Sequence, residues 1–296
     1  MRRHNDAASI YFNIIKAVFL TAAALLCTAP FLIIISGSFS ENAIVVRQGY
    51  GILPKGFTLD AYNRLFKTPQ DIIQAYKMTI YYTLIGTSLG LLMIALTAYV
   101  VSRPEFKYRN KVSFLIYFTT IFGGGMVPWY LMYSSVLGLK GSTVAIWFPA
   151  LMSPFLVIIM RTFIREAVPD AITESAKIDG AGHVTIFARI VVPVIGPGLA
   201  TVGLFLALGY WNDWYRASMF STSPSTWSLQ FYLYNMINAT QALLRLAQNA
   251  NVTIADMPGE TIKMAMAVIA TGPVLLVYPF VQRYFISGIT IGAVKG

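Results

Sequence analysis

Side chains able to do covalent or metal chemistry are scarce in this chain. Only His4 and His183 offer imidazole, Cys27 is the single thiol, and the 12 carboxylates among 296 residues are dispersed. One cysteine permits no intramolecular disulfide and no cysteine-based metal cluster. Nucleophilic or acid–base catalysis needs a nucleophile, a base and an orienting group within reach of one another; no catalytic residue and no metal ligand is assigned. The sequence holds no Gly-x-x-x-x-Gly-Lys-Ser/Thr stretch, so it has no phosphate loop with which to hold ATP. Two polar clusters remain. In "PDAITESAKIDGAG", Pro169, Asp170, Glu174, Ser175, Ala176, Asp179, Gly180 and Gly182 have the chemistry of recognition and turning rather than of bond making. In "YWNDWY", the indoles of Trp211 and Trp214 flank two polar side chains, Asn212 and Asp213, a second candidate for recognition. The competing reading of those indoles is anchorage at the lipid headgroups.

The elements that must position these clusters are apolar. The chain is 56% hydrophobic and 11% charged, where soluble domains carry about a quarter charged residues. So much apolar surface needs lipid as a second solvent. Six stretches reach the ~20 residues that cross a hydrocarbon core: about 14–36, 78–101, 112–133, 143–161, 190–210 and 262–285. The expected fold is an all-α membrane protein with six transmembrane helices, occupying 1–296 as a single transmembrane domain. The N-terminus imitates a lipoprotein signal, but Leu26 precedes Cys27 where processing needs a small residue, and the apolar run continues through Ile35; an uncleaved first span is expected. Three consecutive glycines, Gly123 to Gly125, fall in the third segment. Glycine is costly in a helix, so they read as tight helix packing, with a flexible point in the bundle as the alternative.

Charge sets the expected orientation. The net charge of +10 is spread over short loops and forms no contiguous basic stripe, which argues against nucleic acid as a partner. With the N-terminus inside, thirteen of the 22 basic residues fall on cytoplasmic pieces, and "SRPEFKYRNK" is the clearest marker. Both termini are then cytoplasmic, in a multi-pass membrane protein.

The link between the fourth and fifth segments has about 28 residues where 2–8 is usual. A short helix is expected to start at Pro169, which suits the first helical position, with Asp170 at its positive end. Ala171, Ile172, Ser175, Ala176 and Ile178 form a face of small and apolar groups. Gly180 stops the helix in a left-handed cap, and Gly182 adds a second permissive point. A second helix runs from about Thr185 and bends near Pro193. Small residues on an exposed helix let another surface approach closely, so this elbow (about 165–189) reads as a docking element for a partner protein.

Glu174-Ser175-Ala176, Gly180, Ile190 and Pro193 stand at the spacings of the "EAA" loop, and on these residues the chain resembles the permeases of ATP-binding-cassette importers. "IDGAG" and the ending "RYFISGITIGAVKG" are similar to the sugar-importing branch, in the class of the maltose-type second permease. "LPKGFTLDAY", "GGGMVPWYL", "YWNDWY" and "YPFVQRYF" resemble the subgroup that imports complex or polymeric sugars, near which an alginate-oligosaccharide permease belongs. The resemblance implies a type I importer transmembrane domain with a cytoplasmic coupling helix between helices 4 and 5. It implies a second, homologous permease subunit as heterodimer partner, two ATPase subunits and an extracytoplasmic solute-binding protein. It gives this chain no cofactor and no enzymatic activity of its own, and puts ATP and Mg on the ATPase. It assigns the eight elbow residues to ATPase coupling. A glycine-rich end alone would read as a fraying terminus, but the resemblance sends the tail at 286–296 between the ATPase subunits, with Gly288, Gly292, Lys295 and Gly296 in matching places. It also sets Trp211 to Trp214 toward the binding protein or its sugar.

An ion-driven secondary transporter is the competing class. It needs ionisable groups inside its spans, and these spans are almost free of Asp and Glu. The cargo is less defined. Outer segments carry nine basic against six acidic residues, which leaves an acidic oligosaccharide such as alginate and a neutral sugar both open.

Overall fold

The structure, a computed structural model, describes residues 7–67, 69–249 and 259–293. The first apolar segment is one helix, α1 (Ala7–Ser38), followed by the short helices α2 (Asn42–Gln48) and α3 (Asp60–Leu65). The second lies inside α4 (Pro69–Ser102). The third is broken: α5 (Arg109–Ile121) and α6 (Met126–Leu131), prolonged by a wide π turn to Val136, meet at 115°. The fourth is α7 (Val144–Trp147), a tight turn to Ala150, and α8 (Pro154–Ala167), bent by 46°. After α9 (Asp170–Ile178), the fifth is built from α10 (His183–Ile186), a π turn, α11 (Val192–Val194) and α12 (Gly196–Trp211), with a bend of 83°. The second long loop holds α13 (Tyr215–Phe220) and α14 (Leu229–Asn249). The sixth lies inside α15 (Glu260–Ala293). Beyond a single bridge between Ser40 and Phe57, the described residues are helix, turn and loop.

Each break has a local cause. Gly125 takes φ +84° at the entry to α6, a conformation open to glycine and costly to other residues. Pro154 sits in the first turn of α8, where its missing N–H is harmless. The bend expected near Pro193 falls instead between Val194 and Gly196, just before Pro197. Pro193 acts one turn earlier. It cannot donate to the carbonyl of Arg189, and the π turn Phe187–Val191 lies there.

Close contacts among the described residues group into two units, within Met1–Pro69 with Asn235–Pro273 and within Gln70–Tyr234 with Val274–Gly296. In the first unit the long loop is tied down by hydrogen bonds. The Glu41 amide donates to the carbonyls of Lys55 (3.0 Å) and Gly56 (2.8 Å), and the Tyr62 hydroxyl donates to Ser38 Oγ at 2.9 Å. Thr58 Oγ1 accepts from the Asp60 amide at 3.2 Å, and Leu59 is the residue that precedes α3. Asn42 Oδ1 caps α15 by accepting from the amides of Glu260 (3.2 Å) and Thr261 (3.4 Å). The side chains of α1 stay largely exposed, Phe12, Phe19, Leu25 and Leu26 among them, as suits a helix whose solvent is hydrocarbon.

The second unit contains the larger core. Ile94, Ala98 and Tyr99 of α4 pack with Val157, Met160 and Ile164 of α8, with Ile186 and Val191, and with Val202, Leu206 and Tyr210 of α12. Gly86 of α4 admits the Tyr210 ring against its backbone, where a Cβ would overlap it. The Tyr210 hydroxyl donates to the Trp147 carbonyl at 2.8 Å. Close backbone approach of this kind replaces the hydrophobic drive that lipid does not supply. A smaller cluster joins Tyr82, Ala145, Ile146, Ala217, Phe220 and Phe231. Beside it, Thr79 Oγ1 accepts from the Leu229 amide at 2.7 Å and caps α14.

Candidate functional site

The elbow is built on α9. Pro169, with φ −56° and ψ 143°, is the residue before the helix rather than its first residue, and Asp170 opens the first turn. The C-terminal end is a Schellman turn. The Gly180 amide donates to the Lys177 carbonyl and the Ala181 amide to the Ala176 carbonyl, both at 2.9 Å, with Gly180 at φ +83°. A Cβ on Gly180 would meet nothing, so its requirement within this chain is conformational. Gly182 differs from expectation. Its φ of −73° and ψ of 160° are ordinary extended backbone before α10, open to any residue, so it is no second permissive point.

One face of α9 is fixed to the loop after α4. Arg103, 4% exposed, lies across the Tyr99 ring and brings Nη1 within 3.4 Å of Thr173 Oγ1 and 3.7 Å of Asp170 Oδ1. Its Nε donates to Ser102 Oγ at 3.1 Å. Thr173, 2% exposed, donates in turn to the Asp170 carbonyl at 2.8 Å. Lys177 Nζ pairs with Glu105 Oε1 at 2.5 Å. The hydrogen bond from Lys177 holds the Glu105 carboxyl below the usual carboxylate range, helped by the positive fields of Lys177, His183 and Arg103. Arg103, Glu105, Thr173 and Lys177 were missed as site residues. Arg103 and Glu105 carried only an orientation signal in the sequence, and a pairing across about 70 residues leaves no local spacing to read.

The opposite face is open. Ala171, Ile172, Glu174 and Ser175 are exposed, and so are Asp179 and Gly180 at the turn. Ile178 is 87% and Val184 81% exposed. The Glu174 carboxylate has no partner among the described residues. Ala176 departs from the predicted face, because it is half-buried against the core. The outward surface is thus apolar at Ile172, Ile178 and Val184, small at Ala171 and Ser175, and acidic at Glu174.

A second feature lies at the α5–α6 break. A cavity of about 480 Å³ is lined by Gly123 to Gly125, Met126, Trp129, Asp213, Tyr215 and Arg216. A Cβ on Gly123 would meet nothing, and on Gly124 or Gly125 only Pro128 at 4.0 Å. The glycines border open space rather than a packed helix, which corrects the tight-packing expectation. Trp129 and Tyr215 stack with centroids 6.4 Å apart. Asp213 Oδ2 accepts from Arg216 Nε at 2.8 Å and Oδ1 from the Arg216 amide at 3.2 Å, while the guanidinium lies over Tyr210. Asp213 is therefore already engaged with Arg216.

Of Trp211, Asn212, Asp213 and Trp214, Asp213 lines this cavity. Trp214 stacks on Tyr234 with centroids 4.6 Å apart, Trp211 lies beside Tyr76, and Asn212 Nδ2 donates to the Leu208 carbonyl at 3.0 Å. Tyr215 and Arg216, next along the chain, line it as well. The predicted tail is divided: Gly288 and Gly292 fall within α15, which runs on to Ala293, whereas Lys295 and Gly296 lie outside the described residues.

The chain is 37% identical over 293 residues to the protein LplC of Bacillus subtilis (strain 168), covering 99% of this chain and 98% of that protein. It is 37% identical over 286 residues to the polygalacturonan/rhamnogalacturonan transport system permease protein YtcP of the same organism, covering 96% and 98%. Its structure matches, with a TM-score of 0.77 and 29% identity, a chain from the crystal structure of a bacterial ABC transporter involved in the import of the acidic polysaccharide alginate, covering 96% of this chain and 100% of that one. No family model matches the chain.

Proposed function

This chain belongs to the membrane-spanning permease subunits of carbohydrate ABC importers, and from that premise we propose that α9 couples it to a partner ATPase. The observation that carries the reading is the open face of α9. Ile172 and Ile178, with Ala171, Ser175 and Glu174, are exposed, while the other face is held by Arg103 and Lys177. A helix clamped on one side and unpartnered on the other transmits a push as a rigid body. Closure of an ATPase dimer on ATP and Mg would then move the elbow and rock the bundle between inward and outward openings. The assembly is proposed to hold a second permease, two ATPase copies and an outer solute-binding protein, with both termini and the elbow cytoplasmic. The α15 end and the tail are proposed to reach toward the ATPases.

For the cargo we propose an acidic oligosaccharide that passes the α5–α6 cavity. Trp129 and Tyr215 offer ring faces for sugars, and Arg216, oriented by Asp213, offers guanidinium hydrogens to a carboxylate. One similar protein is a polygalacturonan/rhamnogalacturonan transport system permease, and another belongs to a transporter involved in the import of the acidic polysaccharide alginate. The test of coupling is a cross-link. With Cys27 replaced by Ser, a cysteine at Ile178 should join a cysteine in the ATPase cleft within the assembled transporter. Absence of that product from a complex that still hydrolyses ATP and imports sugar would remove α9 from the coupling path. Sugar uptake by proteoliposomes driven by an ion gradient without ATP would overturn the transport mechanism itself.

A further inference from the structure

Below the ends of α4 and α8 lies a cavity of about 330 Å³ that the coupling reading does not use. Its polar lining brings together Arg109, Asn110, Arg161, Arg165, Ser102 and Asp170. Arg109 is the first residue of α5, and Arg161 and Arg165 stand on the last two turns of α8. Three guanidinium groups thus face one volume with a single carboxylate, and Asp170 already lies 3.7 Å from Arg103 Nη1. None of the three has an ion-pair partner among the described residues, and Arg161 Nε is buried with no hydrogen-bond acceptor. A buried guanidinium hydrogen without an acceptor is costly, and like charges facing one cavity repel. Both costs vanish if an anion with several acceptor oxygens occupies the space. The volume corresponds to about ten water-sized groups at ~30 Å³ each, ample for a phosphate and its ester atoms.

We propose that this cavity binds a phosphate-bearing anion, held by Arg109, Arg161 and Arg165, and that its source is an anionic lipid headgroup. Arginine is the side chain best matched to phosphate, because its fork of donors pairs with two oxygens at once. The location favours lipid over an acidic protein surface. Arg109 begins α5 and Arg161 and Arg165 end α8, at the ends of the third and fourth apolar segments, where basic clusters between helices collect anionic lipids. None of them is on the open face of α9. Val168 and Asp170 also line the cavity, so an occupant would brace the junction of α8 and α9. The site requires only that this end of the helices meets a membrane surface, and it stands whether or not α9 docks an ATPase.

The assembled transporter, purified from membranes, tests the site. Native mass spectrometry should find phosphatidylglycerol retained on the wild-type complex. One lipid per copy of this chain should be lost in the Arg161→Gln/Arg165→Gln variant, and retained in an Arg64→Gln control. Titration with phosphatidylglycerol in nanodiscs should show affinity falling roughly tenfold or more, as expected for losing charge-assisted bonds. Arg161→Lys/Arg165→Lys, which keeps the charge, should recover part of it and so separates binding from misfolding. Equilibrium dialysis with radiolabelled inorganic phosphate is the second arm. Arginine-dependent phosphate binding without lipid retention would keep the anion site and replace its source. Equal lipid retention in all variants with no arginine-dependent phosphate binding overturns the proposal. Loss of the co-purifying ATPase in the Gln variant, with anion binding unchanged, would assign the arginines to the partner protein and overturn it equally.

Discussion

Gly180, at φ +83°, closes the Schellman turn that ends α9, whereas Gly182, two residues on, lies at φ −73°. A side chain in the left-handed region costs about 1–2 kcal/mol. Gly180→Ala is therefore expected to lower the stability of the elbow by about that amount, and Gly182→Ala to be neutral; thermal unfolding of the purified complex compares the two. Gly180→Asp adds a charge where the turn is open to a partner, and should abolish ATP-driven uptake while membrane insertion persists. Normal uptake would remove Gly180 from the coupling path. Gly86 and Gly203 make a second contrast. A Cβ on Gly86 would overlap the Tyr210 ring, but on Gly203 it would meet only Leu91 at an ordinary 3.5 Å. Gly86→Ala is expected to destabilise by about 1–3 kcal/mol through overpacking, and Gly203→Ala by much less, as measured by melting in detergent. The turn at Gly180 was legible because a helix stop is written in neighbouring residues. The ring against Gly86 was not, since Tyr210 is far away in sequence.

Among the elements, α9 depends on two charged contacts with the loop after α4. Lys177 and Glu105 are both partly exposed, so the pair is expected to couple by only ~0.2–1 kcal/mol in a double-mutant cycle. Its pH dependence follows from the direction of the Glu105 shift. A carboxyl held below its ordinary value of 4.5 by Lys177 stabilises the folded arrangement above that value, and loses this contribution as pH falls through the lowered folded value. Amide-exchange protection in α9, corrected for intrinsic rates, should accordingly be constant near neutrality and decline in acid. Glu105→Gln should flatten that decline; an unchanged profile would show that the pair does not hold the helix. The α5–α6 break shows what sequence reasoning does with such elements. Three glycines announced an interruption, but their neighbours decide whether an interruption is packed or open, and here open space adjoins Gly123 to Gly125.

At the scale of the molecule, the orientation proposed from the basic loops predicts that a cysteine at Ile178 or Val184, in a Cys27→Ser background, is labelled only from the cytoplasmic side of sealed vesicles. Labelling from outside would reverse the topology and with it the place of the ATPase. The sequence by itself determined an all-helical chain with six membrane-length apolar segments and an elbow ending in a glycine turn. It could do so because span length, helix caps and turn glycines are set by adjacent residues and by the hydrocarbon thickness. Only the tertiary structure decided that Ala176 turns inward while Ile172 and Ile178 turn outward, that Arg103 and Glu105 grip α9, and that Arg216 rather than Trp214 lines the cavity beside the glycines. Those relations join residues up to about 90 positions apart through helix packing, whose register depends on side-chain volumes across the whole bundle and has no local spacing to reveal it.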